Sequence, residues 1–275
     1  MADLESAKKS LNAKILGLVP TMGALHEGHA TLIRKAAAEC DAVVVSDFVN
    51  PTQFNNQDDF RTYPRTLESD GVFAASAGAD ILFAPGVEDM YPEGSGIDRK
   101  VFDLGGIDRY GEGPRRPGHF NGMAQIVTRL FDTVKPDKAY FGEKDYQQLA
   151  IIEYFTKNLR YPVEIVRCPI ARAADGLALS SRNSLLTAGQ RAAAPGIFKA
   201  ISRAVEYVGK MSVDDAAAAV REEIDGNSFL RTEYVEIADE ATMRPVSSWD
   251  EAQGIRLFCA VYDGNVRLID NMKLK

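Results

Sequence analysis

The order of elements along this chain predicts an α/β fold, a doubly wound parallel sheet with a second, smaller α+β domain. Three observations carry that expectation. Short apolar runs alternate with helical stretches as far as about residue 170. Strands that alternate with helices in this way form a parallel sheet covered on both faces. Beyond them the order changes to helices followed by alternating strands, which suits a separate domain.

In the first region Ile15–Val19 reads as a buried strand and Ala30–Ala38 as a helix. Ala42–Val49 is a second strand, Leu67–Ala77 a helix and Ile81–Ala84 a third strand. Gln125–Val134 and Gln147–Asn158 read as helices around the strand Lys138–Phe141, and Val163–Cys168 closes the series. Strands alternating with helices imply right-handed crossovers, with ligands outside the carboxyl ends of the strands. The domains are expected at 1–170 and 171–275. In the second, Thr187-Ala188-Gly189-Gln190 has the form of a capping box before Ala-rich helices. Glu233–Ala238, Arg256–Tyr262 and Val266–Ile269 alternate like antiparallel strands, with Asp263-Gly264 as a tight-turn signal between the last two.

The bulk properties narrow the function. A chain of 275 residues with 45% hydrophobic and 26% charged residues has the composition of a globular protein. No run approaches the roughly 20 apolar residues of a membrane span, and the acidic, polar start lacks a secretion segment. A cytoplasmic protein without a membrane partner is expected. A formal charge of −7 argues against a nucleic-acid surface, although a local pocket for an anion stays possible. Cys40, Cys168 and Cys259 stand in or beside apolar runs and read as buried free thiols.

The chemistry gathers at predicted strand ends. Pro20-Thr21-Met22-Gly23-Ala24-Leu25-His26-Glu27-Gly28-His29 follows a strand and opens a helix, where unpaired backbone N–H groups and the helix dipole favour an anion. Gly23 and Gly28 allow close backbone approach. His26 and His29 account for two of the three histidines in the chain, on one face of a first turn and suited to donate to phosphate oxygens. Zinc fits poorly, because a zinc helix of the metalloprotease kind spaces its histidines by four and His119 is the only other one. A second segment is Gly142-Glu143-Lys144-Asp145-Tyr146-Gln147-Gln148, again after a strand. There Lys144 suits phosphate, and Asp145 a ribose hydroxyl or hydrated Mg²⁺. A third is Gly176-Leu177-Ala178-Leu179-Ser180-Ser181-Arg182-Asn183, a candidate phosphate clamp. Taken singly, a Glu-Lys-Asp run is more often a solvated turn, and Ser-Ser-Arg is common in loops. Gly111-Glu112-Gly113 is a decoy: Arg116 stands where a dinucleotide fingerprint needs its third glycine.

Together these segments are specific. His-x-Gly-His after the first strand with a distant Ser-Ser-Arg loop resembles the signature pair of the Rossmann-like HxGH nucleotidyltransferases. Within that group the chain resembles the pantoate–β-alanine ligase (pantothenate synthetase) family over nearly its whole length. The carrying residues are Pro20–His29, Phe48–Phe54, Tyr63–Thr66, Arg116–Phe120, Gly142–Gln148 and Asp175–Asn183. The resemblance implies an ATP-dependent ligase, working as a homodimer, that condenses pantoate with β-alanine through a pantoyl adenylate and releases AMP and pyrophosphate. It assigns Met22, Gly23, Ala24, Leu25, His26, Glu27, Gly28 and His29 to ATP, with His29 the proton donor and His26 and Lys144 beside it in catalysis. Gly142, Glu143, Lys144, Asp145, Ala171, Leu179, Ser180, Ser181 and Arg182 complete the nucleotide set, the Ser180–Arg182 loop acting as a lid. Gln53 and Gln148 hold pantoate, Gln53 also meets β-alanine, and Asn50 supports them. Amides suit pantoate's hydroxyls, being donor and acceptor at once. Asp70 is assigned to help place the Mg²⁺ that accompanies ATP. Two departures stand out: Asp47 occupies a position where the family carries an apolar residue, and the N-terminus is short, so an early helix is expected trimmed or displaced. Open alternatives are an enzyme that leaves the nucleotide on its product, a tRNA-charging enzyme, and a non-enzymatic adenylate sensor.

Overall fold

A computed structural model describes residues 1–54, 57–93 and 99–275. The chain divides into two compact units. The first comprises Met1–Gly105, Gly113–Glu143 and Gln148–Pro169, and the second Gly106–Glu112, Lys144–Gln147 and Ile170–Lys275.

The first unit is built on a parallel sheet of order β3-β2-β1-β4-β5. Its strands are β1 (Leu16–Thr21), β2 (Ala42–Asp47), β3 (Ile81–Phe83), β4 (Lys138–Gly142) and β5 (Glu164–Cys168). Val43, Val44 and Val45 are buried consecutively, which is possible only where helices cover both faces of a sheet. The helix Glu27–Glu39 sets Ala30, Ile33 and Ala36 against Val19, Val43 and Val45, and Ala74 and Ala77 of the helix Leu67–Ala77 join the same cluster. Burying a side chain such as Ile33 stabilises the fold by roughly 1.5–3 kcal/mol. β2 and β3 lie to one side of β1, β4 and β5 to the other. The winding therefore reverses between β1 and β4, and the crevice outside their carboxyl ends is where such sheets bind ligands.

Several boundaries differ from the sequence reading. β1 runs on through Pro20 to Thr21, past Leu18, its last residue to pair with β4. β2 stops at Asp47 rather than Val49. The helix expected at Gln125–Val134 begins at His119; its first turn, with Asn121 and Gly122, lacks the apolar period that marks the rest. The early helix is present as Ala2–Leu11 and ends on Asn12, whose φ of 47° is left-handed.

The second unit carries an antiparallel sheet of order β6-β7-β8, made of β6 (Leu230–Asp239), β7 (Ile255–Asp263) and β8 (Val266–Lys273). Helices Pro195–Arg203 and Val213–Asp225 bury Ile197, Ile201, Val220 and Ile224 with Leu257, Cys259 and Val261 of β7. Thr187 and Gln190 form the capping box that starts Ala188–Ala193. The hairpin turn falls one residue later than the Asp263-Gly264 signal suggests. Asp263 still pairs with Val266, so Gly264, at φ +58°, and Asn265 make the turn. β6 is longer than its alternating stretch because a register shift between Thr232 and Tyr234 breaks the period. The segment Gly106–Glu112 is tied to this sheet by Glu112, which accepts from Arg267 at 2.7 and 2.8 Å and from the Tyr234 hydroxyl at 2.7 Å.

All three cysteines are free, Cys168 and Cys259 buried and Cys40 partly so. Burial pushes the Cys168 thiol up to about 11, so it stays a thiol rather than a nucleophilic thiolate. Among the described residues, no helix is long and apolar enough to cross a membrane.

Candidate active site

The turn after β1 is shaped residue by residue. The Thr21 hydroxyl donates to the Ser46 carbonyl at 2.6 Å and accepts from the Gly23 N–H at 3.2 Å, which turns the chain out of the sheet. Gly23 then takes φ +76° and Ala24 φ +49°. Left-handed backbone at Ala24 is costly unless something holds it. Asp70 does so: its buried carboxylate accepts from the N–H groups of Ala24 at 2.9 Å and Leu25 at 2.7 Å, and from the Thr66 hydroxyl at 2.9 Å. Asp70, assigned by resemblance to help place Mg²⁺, thus anchors this turn.

Next, the two histidines form a reciprocal cap. His26 is the N-cap of Glu27–Glu39, and its Nδ1 accepts from the Gly28 N–H at 3.0 Å. His29 returns its own Nδ1 to the His26 N–H at 3.3 Å. The rings lie 4.1 Å apart, tilted by 32°. Because each Nδ1 accepts, a neutral ring carries its hydrogen on Nε2, where it is a donor. Two imidazole donors thus stand at the head of a helix whose dipole favours an anion. Sequence spacing had placed both rings on one helical turn; the structure makes one of them the cap.

A second group lies after β2. Asn50 is fully buried and donates to the Gln53 side-chain oxygen and to the Gly122 carbonyl, both at 3.1 Å. Its own side-chain oxygen accepts from the Tyr91 hydroxyl at 2.6 Å. With its oxygen occupied, Gln53 has its amide nitrogen, a donor, to offer a ligand. His119 Nδ1 meets the Gln53 carbonyl at 2.9 Å and secures the same short helical turn, Pro51–Gln53. Gly122 is required here: a Cβ there would come within 2.0 Å of the Thr52 carbonyl oxygen. Tyr91, Gly122 and His119 hold this turn in place, and sequence reasoning missed them. Only His119 left a signal, as the third histidine in a quoted block.

The two glutamines after β4 have different fates. Gln147 is spent on structure, donating to the carbonyls of Ile107 and Tyr110 and accepting from the Glu112 N–H, all at 2.8–2.9 Å. Gln148 is only partly buried and makes no side-chain hydrogen bond among the described residues. Gly142 ends β4, beside β1 in the sheet, and Glu143 opens the 3-10 turn that follows.

The remaining candidates belong to the second unit. Lys144 lies 3.6 Å from Asp145, and its carbonyl accepts from Asn271 of β8 at 3.0 Å. Ala171 and Leu179 are paired across a small hairpin, the Leu179 N–H donating to the Ala171 carbonyl at 2.9 Å. Ser180 caps the short helix Ser181–Leu185 through a 3.3 Å bond from the Arg182 N–H. Arg172, in the stem of that hairpin, pairs with Asp270 at 2.6 and 2.8 Å and stacks on Phe198 at 4.0 Å. That pair was not legible in the sequence, since the partners are far apart along the chain.

A parallel sheet of order 3-2-1-4-5 with a histidine-capped helix after its first strand defines a nucleotidyltransferase-type fold. Comparison with known proteins narrows the class. A sequence profile of the family described as pantoate-beta-alanine ligase matches residues 1–273. Pantothenate synthetase of Bacteroides thetaiotaomicron is 47% identical over 275 residues, 99% of this chain and 96% of the relative. That of Porphyromonas gingivalis is 48% identical over 260 residues, 94% and 92%. The crystal structure of pantothenate synthetase from Thermus thermophilus superposes with a TM-score of 0.91 at 43% identity, covering 98% of this chain and 97% of that one. A pantoate-beta-alanine ligase from Francisella tularensis, complexed with beta-gamma ATP and beta-alanine, has a TM-score of 0.78 at 36% identity over 98% and 95%. The chain belongs to the pantoate–β-alanine ligase family and is an enzyme of that kind.

Proposed function

We propose that this enzyme makes pantothenate in two displacements through a pantoyl adenylate. In the first, a pantoate carboxylate oxygen attacks the α-phosphorus of ATP, the α–β anhydride bond breaks, and pyrophosphate leaves. In the second, the β-alanine amine attacks the activated acyl carbon, the bond from that carbon to the phosphate oxygen breaks, AMP leaves with the electron pair, and the nitrogen gives up one proton to solvent. Both steps load negative charge onto phosphate oxygens. Donors already fixed in place stabilise such charge at little reorganisation cost.

The observation that carries this reading is the reciprocal cap of His26 and His29, which commits both Nδ1 atoms and makes each Nε2 a donor. His29 then serves as proton donor, with His26 beside it and Lys144 as a point charge for the transferring phosphate. Met22–His29 with Gly142, Glu143, Asp145, Ala171, Leu179 and the Ser180–Arg182 loop bind the nucleotide. Gln53 and Gln148 bind pantoate, and Gln53 also meets β-alanine. The contrast between Gln147, which is fully engaged, and Gln148, which is not, supports the assignment of Gln148. Mg²⁺ enters as MgATP: among the described residues no acidic, histidine and cysteine cluster could hold it alone, and Mg²⁺ commonly binds through substrate phosphates and water. A homodimer is part of the proposal, and light scattering on the purified chain tests it.

The deciding experiment mixes the protein with MgATP and pantoate and follows AMP with and without β-alanine. Pyrophosphate release without AMP in the full mixture would replace this reading with simple nucleotidyl transfer. In Gln148→Ala, pantoate binding should weaken by roughly 1–3 kcal/mol, the cost of leaving buried polar partners unpaired. ATP binding should change little. Equal losses for both ligands would return Gln148 to a structural role.

A further inference from the structure

β7 is buried without interruption from Ile255 to Val261. In an antiparallel sheet such a run means that both faces are covered. Leu257, Cys259 and Val261 pack with the helices of this unit. Arg256 and Phe258 therefore face the other way, together with Asn271 of β8, which stands opposite Phe258. The segment Lys144–Gln147, part of the same unit, lies on this second face. Tyr146 sets its ring 5.8 Å from that of Phe258, and the Arg256 guanidinium lies 4.0 Å from the centre of the Tyr146 ring. Asn271 is only 2% exposed. Its amide nitrogen donates to the Lys144 carbonyl at 3.0 Å, and its amide oxygen accepts from Arg256 at 2.7 Å. One face of the sheet thus grips the turn twice, at the Lys144 carbonyl through Asn271 and at the Tyr146 ring through Arg256.

We propose that Asn271 is a positioning residue for adenylate formation, fixing the backbone from which Lys144 reaches the transferring phosphate. This rests on the assignment of Lys144 to that phosphate. Lysine carries a point charge on a flexible four-carbon stem, so its aim depends on where its backbone is held. The Lys144 ammonium lies 3.6 Å from Asp145, an exposed neighbour in the same turn, and that contact cannot locate the turn on the sheet. Asn271 can, because it belongs to β8 and is itself locked by Arg256. An amide suits the task, being donor and acceptor at once. A carboxylate in its place would keep the bond from Arg256 but set an oxygen against the carbonyl oxygen of Lys144. Asn271 acts on the reaction through Lys144 and does not itself touch substrate.

A double-mutant cycle reads this coupling. Single-turnover pyrophosphate release from MgATP and pantoate is measured in wild type, Asn271→Asp, Lys144→Ala and the double variant, each first checked for folding by circular dichroism. Asn271→Asp should slow release by about 10–10²-fold, the effect of a displacement near 1 Å at a reacting group. Its pantoate dissociation constant, read by calorimetric titration, should stay close to that of wild type. In the Lys144→Ala background the same change should have almost no further effect, since residues that act through one another are not additive. Equal slowing in both backgrounds would overturn the positioning role and leave Asn271 as a general support of the fold. A wild-type rate in Asn271→Asp would overturn it as well. A wild-type rate in Lys144→Ala would overturn the assignment of Lys144, and the proposal with it, which the single variant alone reveals. If Asn271→Asp does not fold, Asn271→Ala, which removes the amide without adding a charge, takes its place in the same cycle with the same outcomes.

Discussion

Replacing Gly122 with alanine tests how tightly the turn that carries Gln53 is built. Gly122 lies within the helix His119–Val134, where alanine would ordinarily stabilise by about 0.5–1 kcal/mol. Here the new methyl would stand 2.0 Å from the Thr52 oxygen, 2.5 Å from its carbonyl carbon and 2.9 Å from the Gln53 nitrogen. All three are backbone atoms, so no side chain can rotate aside, and the turn Pro51–Gln53 must retreat by on the order of 1 Å. Overpacking of this kind costs about 1–3 kcal/mol. Retreat would stretch the Asn50 and Thr52 bonds to the Gly122 carbonyl, now 3.1 and 3.4 Å, so strain and lost bonds are alternatives rather than a sum. The net expectation is a destabilisation of about 1–2 kcal/mol, or roughly 2–8 °C in Tm. Because Asn50 positions the Gln53 amide, a displacement near 1 Å should also lower turnover by about 10²-fold. Thermal unfolding with calorimetric titration of pantoate and ATP checks both numbers. A variant that is more stable than wild type, with unchanged pantoate affinity, would refute the packing argument.

Two further outcomes follow from single side chains. Lys144→Ala should slow adenylate formation by ~10²–10³-fold, the usual effect of removing one preorganised contact to a developing charge; near wild-type pyrophosphate release in a single-turnover assay would remove Lys144 from catalysis. Asp263 is fully buried and neither carboxylate oxygen has a hydrogen-bond partner among the described residues, so burial raises its pKa in the fold. A raised folded-state value means that stability is greatest below the unfolded value near 3.8 and falls as pH rises through the folded one. Asp263→Asn should therefore gain on wild type progressively from pH 4 upward in urea unfolding, and parallel curves for the two proteins would contradict this.

Much of this enzyme is written locally in its chain. The helix Leu67–Ala77 was legible to the residue, and the cores of β1 to β5 were legible as short apolar runs. Such signals depend on neighbours in sequence: hydrophobic period, caps and turn residues. The histidine turn was legible for the same reason, since glycine and histidine at a strand-to-helix junction state their chemistry within ten residues. Other features depend on partners far along the chain. Nothing near Gly122 announces that a carbonyl from Thr52 will press on it. Nothing near Gln147 separates it from Gln148, until Ile107, Tyr110 and Glu112 claim the first. Nothing near Asp70 announces that its oxygens will accept from the backbone of Ala24 and Leu25. Asp47, an anomaly in a strand, finds its place only in three dimensions, with its carboxyl against the Gly23 backbone. Sequence alone determined the elements and the kinds of groups available for chemistry, because propensity and short motifs are local. Tertiary structure decided which of those groups remain available to a ligand and which are consumed by the fold, because burial and hydrogen bonding are satisfied by whatever residues the chain brings together in space.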